Sequence, residues 1–172
     1  MGLSHGHQPV NLDNTCHFEV ISRSPEETQA IGRVLGAHAG PGDVFLLVGA
    51  LGTGKTCLTQ GILWGLEVDE YARSPTFVLA SQYRGRLTLY HMDLYRLDTF
   101  EEIVDLGLEE YLMGDGVCVV EWAEKASQIF PREHLMVQLD FHDERSRHLR
   151  LAATNERYCE AMESVRSTVV HS

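Results

Sequence analysis

Long apolar runs are missing from this chain. No segment approaches the roughly 20 apolar residues that a membrane-spanning helix needs. The opening Met1-Gly2-Leu3-Ser4-His5-Gly6 has no apolar stretch of the secretory kind, and glycine at its sixth position fails the myristoylation pattern. A cytoplasmic protein with no membrane partner is the expectation. Positive charge is scarce too: 14 Lys and Arg face 25 Asp and Glu, for a net charge of −11. Affinity for a nucleic acid backbone comes from clustered cations. Direct contact with DNA or RNA is therefore not expected, while a protein partner that carries the nucleic acid stays open. Cysteine is sparse, and Cys16, Cys57, Cys118 and Cys159 stand far apart with no C-x-x-C pair. They read as reduced thiols, not as a disulfide or zinc framework. The nine histidines include no H-E-x-x-H, and His5 and His7 fall in a polar tail where solvation is the simplest reading. There is no internal repeat and no low-complexity tract.

What is present is an ordinary globular composition, 44% hydrophobic and 23% charged over 172 residues. That predicts a flexible tail over residues 1–16 and one domain over 17–172. Within it, Gly49-Ala50-Leu51-Gly52-Thr53-Gly54-Lys55-Thr56 satisfies G-x-x-x-x-G-K-[ST] in full. The strand-forming run Val44–Val48 precedes it, and Cys57 to Trp64 follows with apolar residues at helical spacing. A strand, a glycine-rich turn and a helix start make a phosphate cradle, because backbone N–H groups and the helix N-terminus face one anion. Lys55 would reach the β- and γ-phosphates, and the Thr56 hydroxyl would be a magnesium ligand.

Around this motif the chain reads as a three-layer α/β domain with a mixed, partly antiparallel sheet. His17–Ile21 predicts a first strand. Ser24-Pro25-Glu26-Glu27 predicts a helix with a serine N-cap, proline at its first position and a capping-box glutamate, running to about Ala39. Val78–Tyr83 and Leu87–His91 flank Arg84-Gly85-Arg86 as a hairpin. Thr99-Phe100-Glu101-Glu102 predicts a second capping box, with two short helices split at Gly107. Val117–Val120 reads as a strand buried on both faces. Leu135–Phe141 and His148–Ala152 form a late antiparallel pair, and Asn155–Val165 a terminal helix.

A P-loop needs a carboxylate at the end of a neighbouring strand to steady a hydrated magnesium ion. Glu121, ending Val117–Val120, and Asp93, ending Leu87–Met92, both qualify. Glu121 would hold the metal or orient the attacking water. Trp122 either fills the core or closes one side of a nucleotide pocket. Arg96 pairs with phosphate or with a nearby acid, and His91 reads as a structural histidine.

Four separated segments occur together here: Gly49–Thr56, Ser74-Pro75-Thr76-Phe77, His91-Met92-Asp93-Leu94-Tyr95-Arg96 and Val120-Glu121-Trp122-Ala123-Glu124. In that order the sequence resembles the TsaE (YjeE) family, small bacterial ATPases of tRNA threonylcarbamoyladenosine synthesis. The likeness covers roughly residues 18 to 155. It implies an ATP/ADP- and Mg²⁺-binding enzyme of low intrinsic activity, stimulated by TsaB- and TsaD-like proteins of the transferase complex. Such an enzyme meets tRNA indirectly and does not transfer the group itself. By motif, the resemblance implies catalytic roles for Lys55, Asp93 and Glu121, and metal ligation by Thr56 and Glu121. It implies nucleotide contacts from Gly49, Leu51, Gly52, Thr53, Gly54, Lys55, Thr56, Cys57 and Trp122, with Thr28 near the adenine end. The chain departs from the family at Ala50, where aspartate is usual, at Thr53, where alanine is, and at Cys57, where a second threonine is frequent. Lys55 and Thr56 are untouched. Two alternatives stay open: a small-molecule P-loop kinase, with Arg145-Ser146-Arg147 as its lid, and a non-hydrolysing nucleotide-binding adaptor.

Overall fold

The computed structural model of the chain describes residues 15–75 and 80–170. Its strands are β1 (Cys16–Ser22), β2 (Val44–Val48), β3 (Ala80–Arg84), β4 (Thr88–Asp93), β5 (Val117–Glu121), β6 (Leu135–Phe141) and β7 (Arg147–Ala153). Its α-helices are α1 (Pro25–His38), α2 (Lys55–Gly65), α3 (Phe100–Asp105), α4 (Leu108–Leu112) and α5 (Glu156–Val170). The strands form one sheet in the order β1-β7-β6-β2-β5-β4-β3. Its middle is parallel, β6, β2, β5 and β4 running the same way, while β1, β7 and β3 add antiparallel edges. The mixed sheet expected from the sequence is therefore present. Of the expected hairpin, Val78 and Leu79 lie outside the described residues, as do Thr76 and Phe77 of the Ser-Pro-Thr-Phe segment.

Alternation along β2 divides the interior into two cores. Phe45 and Leu47 face Ile31 and Leu35 of α1, Leu58 and Ile62 of α2, and Met162 and Val165 of α5. Val44 and Leu46 face the opposite way, with Met92, Ile103 of α3 and Leu108 of α4. Every residue of β5 is buried, as expected for a strand covered on both faces.

Local chemistry sets the helix ends. The Ser24 hydroxyl accepts from the Glu27 N–H at 3.1 Å, while the Glu27 carboxylate reaches one residue past the cap to the Arg23 N–H. Thr99 and Glu102 form the complete capping box of α3. Gly107, at φ 69°, breaks the path into α4 as a left-handed residue. The terminal helix runs further than expected, to Val170, with no glycine or proline to stop it.

α1 and α2 touch backbone to backbone. A Cβ at Gly61 would lie 2.1 Å from the Gln29 carbonyl oxygen, and one at Gly32 would lie 2.3 Å from that of Leu58. Neither neighbour is a flexible side chain, so the helices themselves must part. Gly61→Ala is accordingly expected to destabilise the fold by about 2 kcal/mol, the overpacking cost exceeding alanine's helix advantage of up to about 1 kcal/mol. Urea titration measures this; an unchanged midpoint would contradict the close seam.

One sequence expectation is corrected. Cys16 and Cys159 are joined in a disulfide, with Cα atoms 5.9 Å apart, and only Cys57 and Cys118 are free. The spacing concealed the pair because 143 residues separate them. Antiparallel β1–β7 pairing sets Cys16 opposite Ala153, three residues before α5 begins. The same helix grips the start of β2. Arg157 pairs with the buried Asp43, and the Val44 N–H donates to the Tyr158 hydroxyl at 3.0 Å.

Candidate functional site

The carboxyl ends of β2, β4 and β5 open on one cavity of about 580 Å³. The segment Gly49–Gly54 leaves β2 there and turns into α2. Gly49 stands at φ 153°, and a Cβ on it would meet the Leu139 carbonyl oxygen at 2.3 Å, so only glycine fits. Gly54 caps α2 in a left-handed conformation, with no side-chain hydrogen bond and no acid in the first turn. The first-turn N–H groups of α2 consequently remain available to an anion arriving from the cavity.

Lys55 is 6% exposed. Its ammonium donates to the carbonyl oxygens of Gly49 at 2.6 Å and Ala50 at 2.9 Å. It also lies 4.3 Å from the Trp122 ring centre. Burial pulls its pKa below the usual lysine value, opposed by the carboxylates of Glu121, Glu124 and Asp93. Thr56, next along, donates its hydroxyl to Glu121 at 2.9 Å for Oε1 and 3.3 Å for Oε2. Ser74 lies 3.4 Å from the same hydroxyl.

Register brings the two acids side by side. Asp93 pairs with Glu121 across the parallel β4–β5 ladder. Glu121 is 2% exposed. Burial raises the Asp93 carboxyl above its ordinary range, the Tyr95 N–H pulls it back down, and Glu121 adds repulsion. Immediately after Glu121 the chain reverses through Trp122 at φ 60°. A left-handed non-glycine residue costs on the order of 1–2 kcal/mol and concentrates where function over-determines the backbone. It lays the indole against Tyr95, ring centres 4.9 Å apart, and over Lys55.

Of the residues singled out in the sequence, Leu51, Gly52, Gly54, Lys55, Thr56, Cys57, Asp93, Arg96, Glu121 and Trp122 line the cavity. Gly49 and Thr53 stand behind it: Gly49 through the Lys55 bond, and Thr53 buried with its hydroxyl on the Ala50 carbonyl oxygen at 2.8 Å. Thr28 is buried in α1, its hydroxyl 2.7 Å from that of Ser22, and does not line this cavity. The Cys57 thiol donates to the Pro25 carbonyl oxygen at 3.3 Å. Burial and the Glu26 carboxylate hold its pKa above the ordinary value, which disfavours the thiolate. Arg145 and Ser146 lie in the β6–β7 turn and Arg147 opens β7, its guanidinium stacking on Phe141 and reaching the Gly52 carbonyl oxygen at 3.5 Å.

The family described as Threonylcarbamoyl adenosine biosynthesis protein TsaE matches residues 22–149. The chain belongs to the TsaE family. The protein named tRNA threonylcarbamoyladenosine biosynthesis protein TsaE in Bacillus subtilis is 43% identical over 136 residues, covering 78% of this chain and 85% of that protein. Its namesake in Treponema pallidum is 44% identical over 119 residues, covering 69% and 88% respectively. The crystal structure of Bacillus subtilis YdiB superimposes with a TM-score of 0.74 at 35% identity, covering 90% of this chain and 97% of that one. Membership of the TsaE family carries nucleotide binding with it. No helix among the described residues is long and apolar enough to cross a membrane.

One contributor to this site escaped the sequence reading, and another was read there as a structural residue only. The chain has two lysines, Lys55 and Lys125. Lys125 donates to the carbonyl oxygens of Tyr95 at 2.7 Å and Leu97 at 2.9 Å, holding the cavity wall opposite the P-loop. Lysine scarcity was the available signal. His91 is the other: it is wholly buried, and its Nε2 lies 2.5 Å from Glu121 Oε2. Two-residue spacing from Asp93 along β4 was the signal there.

Proposed function

We propose that this chain is a magnesium-dependent ATPase of low intrinsic rate, serving tRNA threonylcarbamoyladenosine formation by acting on the transferase complex. One observation carries the reading: the Thr56 hydroxyl of the P-loop is bonded to Glu121 at the end of the adjoining parallel strand. A hydroxyl and a carboxylate are hard oxygen donors, few enough to leave room for phosphate and water, which suits magnesium. The uncapped start of α2 suits the phosphates themselves.

A magnesium ion arriving with ATP would supply charge neutralisation between the β- and γ-phosphates. The protein's own groups do the rest. Lys55 exchanges the Gly49 and Ala50 carbonyl oxygens for phosphate oxygens. Thr56 and Glu121 offer the oxygens toward the metal. Asp93, made more basic by burial, is placed to accept a proton from water attacking the γ-phosphate. Trp122 and Tyr95 shield the seat from bulk solvent, and the residues after Gly49 contact nucleotide as the family resemblance implies.

The names of the relatives support the pathway; TsaB- and TsaD-like partners in the cytoplasm are what the family resemblance implies. A partner surface is supported by the apolar rim of the cavity. Leu51, Tyr95 and Leu106 line the cavity and are exposed. A net charge of −11 favours protein over RNA as the direct contact.

The test is phosphate release from Mg·ATP by the purified chain, alone and with the two partner proteins. The expected result is slow release alone and acceleration on the order of tenfold or more with both partners. Unchanged release would sink the reading. Tight ATP binding with no hydrolysis in either condition would favour an adaptor, and a phosphorylated metabolite a kinase.

A further inference from the structure

A carboxylate as buried as Glu121 needs hydrogen-bond donors, because leaving it unpaired in a low-dielectric interior is costly. Glu121 has two: the Thr56 hydroxyl and the His91 ring. Thr56 is a divided donor. Under the function proposed above its oxygen is turned toward the metal, and it has a single proton to give. His91 is undivided. It is 0% exposed, its Nε2 lies 2.5 Å from Oε2, and Nδ1 has no hydrogen-bond partner among the described residues. Placing the ring proton on Nε2 satisfies both facts, since a proton on Nδ1 would be a buried donor with nothing to receive it.

An imidazole with a single polar contact is a poor choice of core filling, because an apolar side chain of that size would pack there without desolvation cost. The ring's position is also well fixed. β4 is hydrogen-bonded on both sides, to β3 and to β5, and His91 stands in register with Val119, two residues before Glu121. The Leu94 N–H donates to the Glu121 carbonyl oxygen at 3.1 Å, tying the exit of β4 to the same residue. One carboxylate oxygen is thus held from behind by a rigid strand, and the other is left toward Thr56 and the cavity.

We propose that His91 is a positioning residue that fixes the Glu121 carboxylate as a metal acceptor. It touches neither nucleotide nor metal; it acts by holding Oε2 so that Oε1 keeps its aim. The inference rests on the magnesium-dependent reading of this site and concerns a histidine that reading leaves unused. Partners of this kind, bonded to a ligand and not to the metal, shift metal affinity by about 10- to 100-fold.

The experiment measures two affinities on the full chain: ADP without metal, by calorimetry, and Mn²⁺ for the preformed ADP complex, by electron paramagnetic resonance. His91→Phe keeps size and removes the donor. His91→Gln returns an amide N–H near the Nε2 position, and His91→Asn is too short to reach it. The expected result is a loss of about tenfold or more in Mn²⁺ affinity for His91→Phe and His91→Asn, with His91→Gln within about threefold of wild type. Metal-free ADP affinity should stay within about twofold in all, since the ring touches no part of the phosphate seat. If His91→Phe fails to fold, the Gln and Asn pair decides. Wild-type Mn²⁺ affinity in His91→Phe or His91→Asn would overturn the proposal, as would equal losses in Gln and Asn. So would a parallel loss of ADP affinity, which marks a merely structural residue. A wild-type ADP complex that binds no Mn²⁺ would overturn the magnesium reading itself, and with it this inference.

Discussion

Lys55→Ala is expected to lower ATP affinity about 100-fold and turnover by a further 10²- to 10³-fold, the scale set by losing a charge-assisted donor to a transferring group. The ammonium already occupies the seat, held by two loop carbonyl oxygens and the Trp122 face. Phosphate binding exchanges those neutral acceptors for charged oxygens, and the difference is what alanine forfeits. Adenosine, lacking phosphate, should bind equally to both proteins. Stability without ligand should change by no more than about 1 kcal/mol, because relief of the buried charge offsets the lost hydrogen bonds. Calorimetry with ATP and adenosine measures the split. Equal weakening for both ligands would mean that the loop had collapsed and the lysine had no phosphate role.

The second large effect concerns the disulfide. A cross-link closing a loop of this length restricts the unfolded chain by up to about 5 kcal/mol in the loop-entropy account, and measured losses run from about 2 to 5 kcal/mol. Cys16→Ser should therefore lower the unfolding free energy by about 3 kcal/mol in urea. Cys159→Ser should match it, and the double variant should add nothing more, since both remove one bond. A reductant should reproduce the loss in wild type and leave either variant unaffected. Nucleotide affinity should survive, because Arg157 and Tyr158 still hold the start of β2. Wild-type stability in the serine variants would show that the cross-link contributes nothing to folding.

The contrast between these two regions shows what a sequence can carry. The P-loop, the Ser24 cap and the Thr99 box are local, their chemistry complete within a few residues. Even the nearness of Thr56 and Glu121, 65 positions apart, followed from one rule about a buried strand ending in an acid. The disulfide, the His91–Glu121 bond and the Lys125 hydrogen bonds depend on register and crossover, and no window along the chain contains both partners. The glycines of α1 and α2 are intermediate. Gly32 and Gly61 sit unremarked in helical patterns, and their necessity emerges only when the two helices face each other. Thr28, by contrast, was assigned through family resemblance, and its observed neighbour, Ser22, ends β1 only six residues earlier.

The glycine seam between α1 and α2 also bears on how the cleft breathes. Two helices meeting main chain to main chain have no side-chain layer to slide or compress, so the P-loop wall moves with α1 or not at all. The facing wall, from Tyr95 into α3, is tied by the two bonds from Lys125 and by Leu94 and Ile103 in the core. Admission and release of a bound nucleotide should therefore leave the spacing of α1 and α2 unchanged.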